Sequence, residues 1–301
     1  MTPPLTPFPK FSLGIFAKTF PRSTVAATFD GVAALGLRSI QFNFSCCGLP
    51  TLPDRIEPAL LDELRTLAKQ RSLRFAAISA TFNLIHPDPA VRSHGRDRLP
   101  VLAEAAKFLD CPLLTLCTGT RDPVDMWRAH PDNPSPAAWR DLRLSIDSAL
   151  AATESSGILL GIEPETSNAV DSARSCRRLL DETNSPRLRV VMDPANLLSP
   201  GDLARQVDII VAAFDLLGDS ITLAHAKELG PDLRPDGRGP GRGVIDWPAY
   251  VQLLHSCRYA GPIVLHGLQE AETAPAVLYL SRIMEGVASF PAGRIRNVAN
   301  S

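Results

Sequence analysis

Residues 158–193 read ILLGIEPETSNAVDSARSCRRLLDETNSPRLRVVMD. Two short apolar runs, Ile158–Ile162 and Leu188–Met192, flank a longer amphipathic stretch, Ala169–Asp181. The short runs have strand length and the middle stretch has helical periodicity. A strand, a crossover helix and a second strand imply a parallel pair. The same alternation continues in both directions. Upstream, strands are predicted at Phe11–Ala17, Ser39–Phe44, Arg74–Ala80 and Pro112–Cys117; downstream, at Ile221–Ala224 and Pro262–Leu265. Helices are predicted at Thr24–Leu35, Pro58–Gln70, Val91–Leu109, Pro136–Ser155, Leu203–Leu217, Pro248–Ser256 and Ala274–Ser289. Ser23, Asp202 and Asp246 are the expected N-caps. Eight strands and eight helices in strict alternation predict an α/β fold, a single (β/α)8 barrel, with a doubly wound open sheet as the other arrangement.

The chain has 301 residues, 45% hydrophobic and 21% charged, enough for a large core. Barrels of this class run to about 250 residues as one domain, so residues 1–301 are read as a single domain. Residues 1–10 form an N-terminal extension and 291–301 a C-terminal tail in that reading. The net charge of −1, from 31 basic and 32 acidic residues, lacks the basic surplus of a nucleic-acid binder. No run of about 18 apolar residues is present, so no membrane span is expected. Met1–Lys10 is proline-rich without an apolar core, unlike a signal peptide. The six cysteines (46, 47, 111, 117, 176 and 257) include no C-x-x-C pair, which suits reduced thiols in a cytoplasmic protein. Adjacent Cys46 and Cys47 are read as small buried residues. Homo-oligomerisation is left open.

The chemistry gathers where the later strands end. Strand five ends in Glu163-Pro-Glu165, strand six in Asp193-Pro-Ala-Asn196, strand seven in His225-Ala-Lys227-Glu228 and strand eight in His266-Gly-Leu-Gln269-Glu270. Barrel active sites are built from the loops that follow the strands. One acidic residue at a strand end is commonly a helix cap or an ion-pair partner, and a lone histidine such as His255, inside a helix pattern, is commonly structural. Four ligand-type residues at four successive strand ends point instead to a divalent cation: Mn²⁺, Mg²⁺, Co²⁺ or Zn²⁺. Lys227 follows His225 by two residues, so it shares that face of the strand and can contact an anionic group or move a proton. The segments 119–135 and 228–246 are longer than ordinary connections and are candidate lids. Within the second, Arg242 is expected to reach the substrate; no Walker-type spacing is present.

Gly161-Ile-Glu163-Pro-Glu165, Met192-Asp193-Pro-Ala-Asn196, Ala224-His225-Ala-Lys227-Glu228 and Gly243-Val-Ile-Asp246-Trp247 resemble the xylose isomerase-like barrel superfamily, in its sugar phosphate isomerase/epimerase branch. The resemblance runs from Gly14 through Glu270. It implies metal ligands Glu163, Asp193 and His225, and a fourth ligand at the end of strand eight. There the family carries Glu and this chain carries His266. Family epimerases use the two glutamates as paired acid/base groups, so His266 is a ligand, a base or a substrate contact, and the three roles stay open. The segments Thr81–Asp88 and Thr118–Asp122 also resemble that branch. Asn83, His86 and Arg121 from these segments, and Trp127 just after the second, are either sugar contacts or loop structure; Glu165, Asn196 and Glu270 are further substrate-contact candidates, and His130, also after the second segment, is read as loop structure.

The implied activity is a metal-dependent isomerase or epimerase of a sugar, sugar phosphate or related polyol, with Glu163, His266 and Lys227 in catalytic roles. A metal-dependent lyase, dehydratase or hydrolase on the same scaffold, and a sugar-binding barrel without catalysis, are the other readings. The superfamily also holds apurinic endonucleases with a three-metal site; six histidines, two of them (His94 and His255) in helix patterns, argue against that class.

Overall fold

The computed structural model describes residues 12–288. The expected extension 1–10, the tail 291–301, and the predicted element ends Phe11 and Ser289 lie outside the described residues. Strands β1 (Ser12–Phe16), β2 (Ser39–Phe42), β3 (Arg74–Ser79), β4 (Leu113–Cys117), β5 (Leu159–Glu163), β6 (Leu188–Met192), β7 (Ile221–Ala226) and β8 (Pro262–Leu265) alternate with helices. They pair in chain order as a closed barrel, each with its neighbour in parallel. The last strand closes on the first, with Ser12 opposite Pro262 and Ile15 opposite Leu265.

The helices are α1 (Val25–Ala34), α2 (Pro58–Gln70), α3 (Pro89–Arg96), α4 (Leu99–Phe108), α5 (Pro136–Ala152), α6 (Ala173–Thr183), α7 (Gln206–Leu217), α8 (Trp247–Ser256) and α9 (Thr273–Ala288). The single helix expected over Val91–Leu109 is two. Pro100, in the first turn of α4, cannot donate a backbone hydrogen bond to a preceding turn, so the helix stops at Arg96 and restarts. α1 is capped by Thr24, whose hydroxyl accepts the Ala27 amide at 3.3 Å, rather than by Ser23. Asp202 precedes a short 3₁₀ turn and binds the Ser199 amide and Arg205 instead of capping a helix. Asp246 does cap α8, accepting the Ala249 amide at 2.9 Å. Cys46 and Cys47 lie in a 3₁₀ turn after β2 and are only half-buried.

The core has two parts. The larger lies between strands and helices and includes Ile15, Phe29, Phe42, Leu64, Ile78, Leu142 and Tyr250. The smaller fills the barrel interior with Phe16, Leu113, Val191, Leu223 and Val264, with Leu159 packed against it. Gly161 leaves room in that interior: a Cβ there would stand 2.8 Å from Val191. Side chains two apart on a strand share a face. Leu159 and Gly161 therefore aim Glu163 inward, Val191 aims Asp193, Leu223 aims His225, and Val264 aims His266.

Candidate metal centre

That parity brings the four strand-end groups together. One donor atom each from Glu163, Asp193, His225 and His266 lies within 4.8 Å of all the others. Asp193 and His225 are buried, at 1% and 2% exposure, while Glu163 and His266 face partly outward. His225 Nδ1 sits 3.1 Å from Glu163 Oε1, and His266 Nε2 sits 2.9 Å from Asp193 Oδ2. The two imidazoles lie 4.4 Å apart between ring centroids. Two carboxylates and two imidazoles at this spacing are a donor set that can bind a hard to borderline divalent metal ion.

A second layer of polar groups holds the first. Asn196 donates its amide to Glu163 Oε1 at 2.7 Å and accepts from Lys227 Nζ. Lys227 Nζ also stands 3.6 Å from Asp193 Oδ2. The other oxygen of Asp193 accepts the Ala195 amide at 3.0 Å. Burial opposes the ionised Asp193 carboxylate, but Lys227 and His266 outweigh it and hold its pKa below the usual range. Burial likewise opposes charge on Lys227, and the carboxylates of Asp193, Glu165 and Glu163 reverse that and raise it. Glu165 is pushed up to about 7, first by burial, with Lys227 pulling the other way and Glu163 and Asp193 adding to the rise. Burial and the neighbouring His225 lower the His266 pKa against the pull of Asp193. Phe16, at the end of β1, sets its ring edge-on to His266 at 6.5 Å and carries Lys18 Nζ over its face at 4.6 Å.

Of the expected site residues, Glu163, Asp193, His225, His266, Lys227 and Asn196 form this cluster, and Glu165 couples to it electrostatically. The others are placed in the surrounding loops. The Asn83 side chain is taken up by loop backbone, donating to Thr120 O at 2.7 Å and accepting from Thr120 N and Ile85 N. His86 bridges Pro123 O and the Asp88 amide. Arg121 donates to Ile85 O and pairs with Asp141 at 2.7 Å. Trp127 is 52% exposed on the segment between β4 and α5. Arg242 stands outward, 4.0 Å from Glu272, and Glu270 is clamped by Arg22 in a bridge between the loops after β8 and β1.

Two residues outside the sequence expectation matter. Glu228 is not a rim charge: it is buried, and its carboxylate accepts from Leu229 N, Gly241 N, Ile245 N and Trp247 Nε1. It thereby ties the long segment between β7 and α8 to the barrel. Gly243 passes so close to this carboxylate that a Cβ would stand 2.6 Å from Glu228 Cδ, and 2.1 Å from Leu229 O. Gln41, on β2, reaches His225 Nε2 at 2.7 Å. Both were discernible only as polar residues inside otherwise apolar or loop sequence.

Residues 29–281 match the family model described as the xylose isomerase-like TIM barrel. Among solved structures the chain is similar to a xylose isomerase domain protein from Planctomyces limnophilus, with 16% identity, TM-score 0.71, and coverage of 95% of this chain and 100% of that one. It is similar to D-psicose 3-epimerase from Clostridium cellulolyticum H10, with 16% identity, TM-score 0.71, and coverage of 91% and 99%. It is also similar to 3-keto-D-glucoside 4-epimerase from E. coli, with 14% identity, TM-score 0.69, and coverage of 91% and 99%. At these identities the likeness is one of fold. No curated protein sequence matches the chain.

Proposed function

The chain belongs to the xylose isomerase-like TIM barrel family, and on that premise we propose that it is a divalent-metal-dependent isomerase or epimerase of a sugar, sugar phosphate or related polyol. The observation that carries this reading is the convergence of Glu163, Asp193, His225 and His266 at the carboxyl mouth of the barrel. Mn²⁺, Mg²⁺, Co²⁺ and Zn²⁺ all suit two carboxylates and two imidazoles. A bound ion would polarise the substrate carbonyl or hydroxyl and lower the cost of an enolate-like intermediate. The epimerases of similar fold support the substrate class.

The rest of the chemistry belongs to the chain's own side chains. Glu163, kept from turning by Asn196 and His225, takes the proton from the carbon beside the carbonyl. His266, braced against Asp193, hands a proton back. Lys227, the fixed cation of the site, steadies negative charge developing on the substrate oxygen. Burial of Asp193 and of most of the Lys227 side chain lowers the local dielectric, which strengthens their interactions.

Incubating the Mn²⁺-loaded protein with a panel of ketoses and aldoses in D₂O tests this. Isomers of unchanged mass, apart from one solvent-derived deuteron, are expected, with loss of conversion on chelation and recovery on adding Mn²⁺ back. Conversion indifferent to chelation, or products lighter by one water, would overturn it, the latter in favour of a dehydratase.

A further inference from the structure

Gln41 is 3% exposed and spans the barrel interior beneath the centre. Its carbonyl Oε1 lies 2.7 Å from His225 Nε2. Its amide Nε2 donates to Ser79 Oγ at 3.2 Å, on β3, and to Thr115 Oγ1 at 3.4 Å, on β4. One side chain on β2 thus links β3 and β4 to the histidine of β7. The other imidazole nitrogen, Nδ1, faces Glu163 Oε1 and the metal-binding cluster.

A neutral imidazole has one protonated nitrogen and one bare nitrogen, and only the bare one can bind a metal. We infer that Gln41 is a positioning residue for the centre: it accepts the Nε2 proton of His225 and so fixes the tautomer in which Nδ1 is the ligand atom. Turning the amide over would set its NH₂ against Nε2, require a lone pair there, and move the proton to Nδ1, on the side where the ion must bind. The hydroxyls of Ser79 and Thr115 accept from the amide's NH₂, so both ends of the Gln41 side chain are partnered in this orientation. Such outer partners orient a ligating histidine and raise its basicity, and losing one weakens metal binding about 10–100-fold. The inference rests on the metal reading above, but the proton on Nε2 is measurable without any ion.

The test combines histidine ¹H–¹⁵N spectra of the wild-type protein, ion-free and Zn²⁺-saturated, with Zn²⁺ titrations of wild type, Gln41→Met and Gln41→Glu. Expected are a proton on His225 Nε2 in both spectra, an affinity about 10–100-fold lower in Gln41→Met, and an affinity near wild type in Gln41→Glu, which keeps the acceptor. A residue that merely fills space would give the opposite order, because Met preserves the volume and Glu buries a charge. A bare Nε2 in either spectrum, or wild-type affinity in Gln41→Met, overturns the inference. Should Gln41→Met not fold, the wild-type spectra decide. Failure of wild type to bind Zn²⁺ overturns the metal reading instead, and the ion-free spectrum then decides the role of Gln41.

Discussion

Removing the Asp193 side chain deprives two groups of a partner at once, Lys227 at 3.6 Å and His266 at 2.9 Å. Asp193 is fully enclosed and Lys227 nearly so, with side-chain exposures of 0% and 13%. Breaking one side of a buried ion pair costs about 3–5 kcal/mol, because the remaining charge stays desolvated. Asp193→Ala should lose about that much stability in urea unfolding of the ion-free protein, and the Asp193→Ala/Lys227→Met double variant should regain a substantial part. A single variant within about 1 kcal/mol of wild type would show that Lys227 relaxes into solvent instead. At this scale the sequence was only partly readable. Glu163, Asp193, His225 and His266 stood out because each puts a ligand-type side chain at the end of an apolar strand. Gln41 did not, because a single amide among Ser39, Ile40 and Phe42 carries no sign of the strand it will face. Glu228 did not either: next to Lys227 it carries no sign that the loop folds back over it.

Among elements, the two long connections that follow β4 and β7 are held by buried carboxylates rather than by regular structure. Asp122 accepts the Val124 and Asp125 amides, each at 2.9 Å, and binds Arg128 through both oxygens. Arg128 chiefly, and those two amides, hold the Asp122 pKa well below the usual carboxylate range. A carboxylate whose pKa is depressed in the ordered loop stabilises it fully above its unperturbed pKa of about 3.9, and this is lost as pH falls towards the depressed value. Amide exchange at Val124 and Asp125, corrected for intrinsic rate, should therefore be protected near neutrality and lose protection progressively as the pH falls below about 4 towards the depressed value. Asp122→Ala, which removes the acceptor, should leave both amides exposed near neutrality as well. Equal protection in Asp122→Ala and wild type would contradict this reading of the loop. The existence and position of both long segments were legible as breaks in periodicity. Their internal anchors were not, since a hydrogen bond between residues 228 and 247 depends on a path that periodicity does not describe.

For the molecule as a whole, the alternation of strand and helix was enough to predict the closed barrel, because parallel neighbours with helical crossovers leave few arrangements. Closure is also what gives the four donor side chains a common point: they come from four consecutive strands whose order is fixed by the pairing of β5 with β6, β6 with β7 and β7 with β8. The break between α3 and α4 changes none of this, since both lie outside the barrel wall. These four strand ends are proposed to hold one divalent ion. Anomalous diffraction at the manganese edge, from crystals equilibrated with Mn²⁺, checks this without reliance on turnover. A single strong peak is expected within about 2–2.5 Å of one atom each from Glu163, Asp193, His225 and His266. Manganese bound elsewhere, with no peak between these four side chains, would contradict it.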